Sequence, residues 1–401
     1  MMIGMTELMR IFADLIRSMR VLFVCNNAFA RGNGLSASVR VTMQGLKAHG
    51  IDARLMAVRN PDPKGPQPDF PLKHFKFPIF EPLIYTNGFA FARADRRVIR
   101  EAVAWADVVH FEEAMPLQII VRKVAVELGK ACTGTFHLFP HNVAANLALP
   151  KKNPLNGPLV RWWKRGVFDY CTHIQCPTQE VERYLRDHGF TADLRVISNG
   201  ISLPEEPVVA EPKQPGDPIE ILCIGRLASE KSQDTLLQAM RYSRYADRIH
   251  LQFAGNGPKA RHYQKAAARL LEEGVLKVPA SFGFFSAEEL RALARKSYLY
   301  IHCAWVEVEG LSCLEATREG IVPVIGEGEL IGTSVFALSP ESLYPACDSR
   351  ALAERIDWWI EHPEERNRMA QRYADAARGY DINDSIAALV KMFQDALDAA
   401  K

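Results

Sequence analysis

The chain has 401 residues, more than one ordinary hydrophobic core serves and suited to two domains of about 150–200 residues each. Hydrophobic residues make up 48% and charged residues 24%, a globular balance that excludes wholesale disorder. Lys plus Arg number 49 against 47 for Asp plus Glu. No global charge therefore draws the chain to nucleic acid, and any anion recognition must be local.

Residues 2–18 have helical periodicity, with Met5, Leu8, Met9, Phe12, Leu15 and Ile16 on one stripe. Residues 1–18 thus read as an amphipathic extension: an interfacial membrane helix, a docking helix, or a start placed upstream of Met19. Glu7 and Asp14 offset Arg10 and Arg17, which weighs against the membrane reading. No uninterrupted apolar run reaches the roughly 18–20 residues that a spanning helix needs, and a secretory signal pattern is missing. The eight cysteines are dispersed, without C-x-x-C spacing. They are expected to be buried free thiols in a reducing cytoplasm.

From Met19 the pattern is strand, Gly-bearing loop, helix, strand: VLFVC, then a helix to about His49, then IDARLMAV. That is the unit of a parallel sheet. VVHF at 108–111, CTGTF at 132–136 and HIQCP at 173–177 are further strands. The second half repeats the opening with IEILCIGRLASEKSQDTLLQAM. IHLQFAG at 249–255, a helix through about 274, VPASFGFF, a helix at 286–297, and strands YLYIHCA and VPVIG follow. Between the halves, prolines at 204, 207, 212, 215 and 218 resist helix and central strand alike. The predicted organisation is an extension over 1–18, one α/β domain over 19–203, a linker over 204–218, a second α/β domain over 219–382, and a last helix over 383–401.

The most informative segment is W305-VEVEGLSCLEATREG. Glu307 and Glu315 flank seven residues that include Gly310. A helix starting near Leu311 puts Glu307 in the preceding loop and Glu315 in the first turns. Backbone N–H groups at Leu311 and Ser312 would then favour phosphate oxygens, Gly310 would allow close approach, and a carboxylate would suit a ribose diol. On spacing alone, Glu307, Glu309 and Glu319 are equally well read as solvated surface charges. In G225-R-LASE-K231, Arg226 and Lys231 follow a strand's C-terminal end, where open α/β sheets bind ligands. They could neutralise a departing diphosphate, or be surface cations partnered by Glu230. Gly32 and Gly34 make a turn after strand one but no G-x-G-x-x-G. His137 ends a strand as a sugar contact or a structural histidine, and His110, His141, His250 and His302 carry the same two readings. Gly255 and Gly257 leave room for a base or diphosphate, or form a turn. R161-WWKR suggests a headgroup-facing surface, against the preferred reading of buried tryptophans beside solvated arginines. Walker A, H-E-x-x-H, G-x-S-x-G and D-x-D patterns are missing.

In this order the Gly loop, TGTFH, CPTQEVERYLRDHGF with VISNGI, GRLASEK, FAGNGP, GFFSAEELRALARKS and EVEGLSCLE resemble glycosyltransferase family 4. The resemblance covers nearly the whole chain, and the E-x(7)-E segment is its signature. It implies the GT-B fold, an α/β architecture of two Rossmann-like parallel-sheet domains facing each other across a cleft, with the acceptor on the first and the donor on the second. It implies a retaining hexosyltransferase acting on a nucleotide-diphosphate-sugar, UDP-sugar favoured, and a hydroxyl of a glycan, lipid or small metabolite. Neither metal nor cofactor is expected, and the place is cytoplasmic, with peripheral contact at the inner membrane face as a further reading. Arg226 and Lys231 would bind the diphosphate, Glu315 the ribose, Glu307 donor-sugar hydroxyls, and His137 the donor sugar near the reacting carbon. Leu311 and Ser312 would lie near the phosphates, Gly225, Gly255, Gly257 and Gly310 at the donor site, and Gly32 and Gly34 on the acceptor side. The last helix would cross back to the first domain. Departures are Glu309 for an aromatic residue, Ser232 for a glycine, and His302–Cys303 for Pro-Ser. An epimerase or phosphorylase of this fold, or a non-catalytic sugar-nucleotide binder, are the alternatives.

Overall fold

The computed structural model describes residues 19–30, 32–76, 89–147 and 149–400. The helix expected over residues 2–18, and Arg31, lie outside the described residues. In chain order the elements are β1 (Arg20–Val24), α1 (Gly34–Ala48), β2 (Asp52–Val58), β3 (Phe70–Phe75), β4 (Phe91–Arg93), α2 (Arg96–Trp105), β5 (Val108–Phe111), α3 (Pro116–Glu127), β6 (Ala131–Thr135), α4 (Pro140–Asn146), α5 (Asn156–Gly166), β7 (His173–Cys176), α6 (Gln179–Asp187) and β8 (Asp193–Val196). There follow β9 (Ile219–Ile224), α7 (Gln233–Ala239), β10 (Ile249–Ala254), α8 (Ala260–Glu272), β11 (Ser281–Gly283), α9 (Ala287–Lys296), β12 (Leu299–His302), α10 (Leu311–Thr317), β13 (Val322–Glu327), β14 (Leu343–Pro345), α11 (Ser349–Glu361), α12 (Pro363–Ala377) and α13 (Ile382–Ala399).

The chain forms two compact units. The first takes the described residues up to Pro140, Pro154–Asn199 and Ile382 onward; the second takes His141–Asn153 and Gly200–Asp381. The first holds an eight-stranded sheet in the order β4-β3-β2-β1-β5-β6-β7-β8, parallel except for β3 against β4. β1 is buried along most of its length, as a strand covered on both faces must be. α1 starts where the Asn33 side chain accepts from Ser36 N–H, an N-cap that satisfies one orphan donor. The second unit has six parallel strands, β11-β10-β9-β12-β13-β14. Its α9 opens on a Ser286/Glu289 capping box. Unexpected from the sequence were the β3–β4 pair, β8, β14, and the transfer of residues 141–153 to the second unit.

α13 completes the first core. Ile386, Leu389, Val390, Phe393 and Ala396 are buried at the spacing of one helical face. They pack with Val21, Phe23, Val39 and Leu46 of β1 and α1. A side chain at Gly45 would meet Ile386 at 2.7 Å, so α1 and α13 are in close backbone approach. Residues 204–218 contain no helix or strand, yet they are held to the second unit. Asn367 accepts from Lys213 N–H at 2.8 Å and donates to Lys213 O at 3.0 Å. Lys213 Nζ also donates to Ser297 O at 2.8 Å. Seven cysteines are buried free thiols; Cys347 is exposed, a departure from the expectation that its position at a turn with φ 69° explains. Among the described residues, no helix is long and apolar enough to cross a membrane.

Two outcomes follow from the first core. Phe393 is fully buried against Phe23 and His110. Phe393→Ala should destabilise the first unit by about 3–5 kcal/mol, read as a lower denaturation midpoint. His110 bonds Thr133 and Thr135 hydroxyls, each at 2.9 Å, and burial lowers its pKa to about 4. It is neutral when folded, whereas the unfolded chain takes up a proton near pH 6.5. Its contribution is full above that value and declines as pH falls toward 4, by about 2 kcal/mol between pH 6.5 and 5. Urea midpoints measured across this window should fall less steeply in His110→Asn than in the parent.

Candidate active site

The strand order of the second unit reverses between β9 and β12, which pair in parallel with β10 and β13 on their outer sides. Connections leave these two neighbours in opposite directions, so a crevice opens at their C-terminal ends. Arg226 follows β9. His302 ends β12, and Glu307 lies in the loop beyond it. Backbone bonds fix that loop: Glu307 N–H donates to Leu330 O and Gly332 N–H donates to Glu307 O, both at 2.8 Å. Trp305 Nε1 donates to Ser229 O at 3.2 Å and Trp305 N–H to Glu230 O at 3.1 Å, which ties it to the Ser229–Lys231 turn.

Within this frame Lys231 Nζ donates to Glu307 Oε2, bringing together the two motifs that the sequence separates by 76 positions. His302 Nε2 stands 3.6 Å from the same oxygen. Burial pushes the Glu307 carboxyl up, but the Lys231 and His302 charges outweigh it and hold the pKa below the ordinary value. Glu307 is therefore ionised at neutral pH. Burial lowers His302 to about 4, with Lys231 acting in the same direction and Glu307 opposing, so His302 is neutral there. Its ring nitrogens lie 3.3 Å from Tyr300 Oη and Thr333 Oγ1, and Tyr300 Oη is 3.0 Å from Ser312 Oγ. Arg226 Nη2 donates to Asn146 Oδ1 at 3.0 Å and to Glu230 Oε1. Glu230 is buried. The pairing of Arg226 with Glu230 anticipated as the plain alternative is thus present, but as a part-buried pair at a sheet switch point.

α10 begins at Leu311, and Gly310 adopts φ 75° at its N-cap. A Cβ on Gly310 would meet Thr333 Oγ1 at 2.3 Å. The glycine is demanded by this turn and by Thr333, where the sequence suggested room for a ligand. Gly255 and Gly257 also stand close to neighbouring backbone. A Cβ on Gly255 would meet Gly225 O at 2.0 Å, and one on Gly257 would meet Leu227 O at 2.4 Å. These two glycines admit the close approach of the Arg226 loop's backbone. Ser232, at the family's usual glycine position, has φ 50°, a conformation costly for a side-chain-bearing residue. Glu309 and Glu319 are buried, which overturns their reading as solvated charges; Glu319 pairs with Arg318 at 2.9 Å and Arg295 at 2.6 Å. Glu315 is solvent-exposed on α10 but crowded by surrounding protein, which raises its pKa against the pull of Arg318 and Arg291. Its cationic neighbours are those two arginines, and Lys231 pairs with Glu307 alone of the two glutamates.

In the first unit the order reverses between β1 and β5. Gly32, with φ 69°, turns the chain after β1, and Gly34 opens α1. Glu112 and Glu113 follow β5, and His137 follows β6. His137 Nε2 lies 2.6 Å from Glu112 Oε2. Burial raises the Glu112 carboxyl, yet the His137 hydrogen bond and charge bring it below the ordinary value. Glu113 accepts from Asn26 N–H at 3.0 Å, Asn26 Nδ2 at 2.6 Å and Gln118 Nε2 at 3.1 Å; burial still leaves its pKa raised. Glu112, Glu113, Thr135, His137 and Phe168 line a small pocket. Sequence reading passed over both glutamates. The available signal was an acidic pair directly after the fully buried strand β5.

Two family models match in succession: Glycosyltransferase Family 4 over residues 32–204 and Glycosyl transferases group 1 over residues 205–375. Sucrose-phosphate synthase from Thermosynechococcus elongatus is similar in structure, with 18% identity, coverage of 96% of this chain and 100% of that one, and a TM-score of 0.71. HepE from Anabaena, solved with UDP and glucose, has 14% identity, coverage of 94% and 100%, and a TM-score of 0.66. The catalytic domain of cholesterol-alpha-glucosyltransferase from Helicobacter pylori has 39% identity over 41% of this chain and 99% of its own length, with a TM-score of 0.37. No curated protein sequence matches. With two Rossmann-like units in place and consecutive models spanning both, the chain belongs to the glycosyltransferases of family 4, group 1.

Proposed function

We propose that this glycosyltransferase moves a hexosyl residue from a UDP-sugar to a hydroxyl acceptor with retention at the anomeric carbon, and without a metal. The observation that carries the reading is the contact of Lys231 with Glu307 at the ends of β9 and β12. A diphosphate in that crevice would share the Arg226 and Lys231 donors with Glu230 and Glu307. Arg226 has five N–H groups and Lys231 three, enough to serve a carboxylate and a phosphate together. As the bond from anomeric carbon to phosphate oxygen breaks, the diphosphate gains charge and the two cations stabilise it. The acceptor hydroxyl oxygen bonds to the same face of an oxocarbenium-like carbon and gives up its proton to the departing phosphate oxygen. Glu307 orients donor-sugar hydroxyls, Glu315 accepts from the ribose, and Leu311 and Ser312 face the phosphates with backbone N–H groups. His137, paired with Glu112, is assigned the contact with the donor sugar. The UDP held by HepE makes uridine nucleotides the first probes.

A thermal-shift screen over nucleotide-sugars tests the donor. A specific ligand at 100 times its Kd stabilises the native state by about 2.7 kcal/mol; if none of the nucleotide-sugars raises the midpoint, the reading fails. Lys231→Ala and Arg226→Ala should each lower transfer by at least about 100-fold with unchanged far-ultraviolet circular dichroism. Wild-type rates in both variants would remove the cationic clamp. Transfer should persist in excess chelator, and nucleoside diphosphate should be released only with acceptor present, which separates transfer from epimerisation or phosphorolysis.

A further inference from the structure

Helix α5 has two contrasting sides. Val160 and Trp163 are buried, with Phe136 edge-on to Trp163. Leu155, Pro158, Arg161, Trp162 and Arg165 are exposed. Their spacing of three and four residues sets them along one outward side. Trp162 is 43% exposed, so the expectation of buried tryptophans holds only for Trp163. The outward side of a soluble helix usually mixes charges of both signs. α5 contains no acidic residue, and its third cation, Lys164, is occupied by Asp169 at 2.6 Å.

The neighbouring helix α3 extends the same character. Arg122 Nε donates to Gly166 O at 3.0 Å, and its guanidinium lies 3.9 Å above the ring of half-exposed Tyr170. Lys123 beside it is exposed. The acidic groups at this edge are already paired: Asp169 with Lys164, and Glu127 with Arg100 at 2.7 Å. A surface-exposed indole beside Arg161 and Arg165, which have no acidic partner among the described residues, fits a bilayer interface. The indole body enters the acyl boundary while its N–H stays at headgroup level. Arginines accept lipid phosphates bidentately and keep their stems along the apolar face. A second copy of the chain would set cation against cation. A soluble acidic partner would leave the stripe of Leu155, Pro158 and Trp162 without a counterpart.

We propose that the outward side of α5, continued by α3, docks this unit in the plane of an anionic lipid bilayer. The inference uses none of the proposed donor-site residues. Sedimentation of the full chain with vesicles tests it. The protein should partition onto vesicles of phosphatidylglycerol and phosphatidylcholine, weakly onto phosphatidylcholine alone, and less as salt shortens the range of the charges. The double change Arg161→Glu, Arg165→Glu should weaken partitioning at least about tenfold. Trp162→Ala should weaken it severalfold and Trp162→Phe should restore most of it, with thermal midpoints of all variants near that of the parent. Undiminished vesicle binding in the charge-reversal variant overturns the proposal. So does equal, salt-insensitive binding to both lipid compositions, or binding to an RNA fragment with none to vesicles.

Discussion

The contact between Lys231 and Glu307 is the constraint around which the second unit's site is arranged. A carboxylate at a sheet's C-terminal edge, largely out of water, stays charged only if an opposite charge or donors compensate its lost hydration. Lys231 supplies that compensation. Pairs of this kind add little net stability, because desolvation consumes most of the attraction. Their value lies in placement: each fixes where the other points. The Ser229–Lys231 turn is held by Trp305, and the Glu307 loop by residues 330–332. Both side chains therefore depart from backbone that is itself pinned. His302 adds a neutral, buried wall behind the carboxylate.

The first unit repeats this logic with different chemistry. Its reversal point gathers Asn26 after β1, the two glutamates after β5 and His137 after β6. Adjacent carboxylates would repel if both were charged in a buried setting. Here they are differentiated by environment. His137 keeps Glu112 on the acidic side of its ordinary range, while burial displaces Glu113 upward against its amide hydrogen bonds. The same strand end thus presents one carboxylate as an imidazole partner and the other as part of an uncharged-donor network.

Much of this was legible in the sequence because periodicity and strand-end chemistry are local. The strand at 108–111, the helix start at Leu311 and the last helix from about residue 383 all follow from spacing. Short edge elements escaped: β3 carries Pro71 as its second residue, which reads as a breaker, and β14 is three residues long. The glycines illustrate a deeper limit. A sequence shows that Gly257 lacks a side chain, but not that the Leu227 carbonyl, from a segment thirty residues upstream, stands where its Cβ would be. Glu112 was illegible for the same reason, since nothing local announces that His137 arrives from the next strand. Trp162 and Trp163 differ in fate although they are adjacent, because one step along a helix turns a side chain by about 100°.

The return of α13 to the first unit has a consequence for biosynthesis. Chains emerge from the ribosome amino end first, and domains generally fold as units. All segments of the second unit have been synthesised by Asp381, before α13 appears. The first unit, though begun earliest, lacks the helix that covers Val39 and Phe23 until Ile382–Ala399 has been made. During elongation its sheet presents an uncovered apolar face, the state in which chaperones would meet it. A stop directly after Asp381 would strand the older half of the molecule and spare the younger.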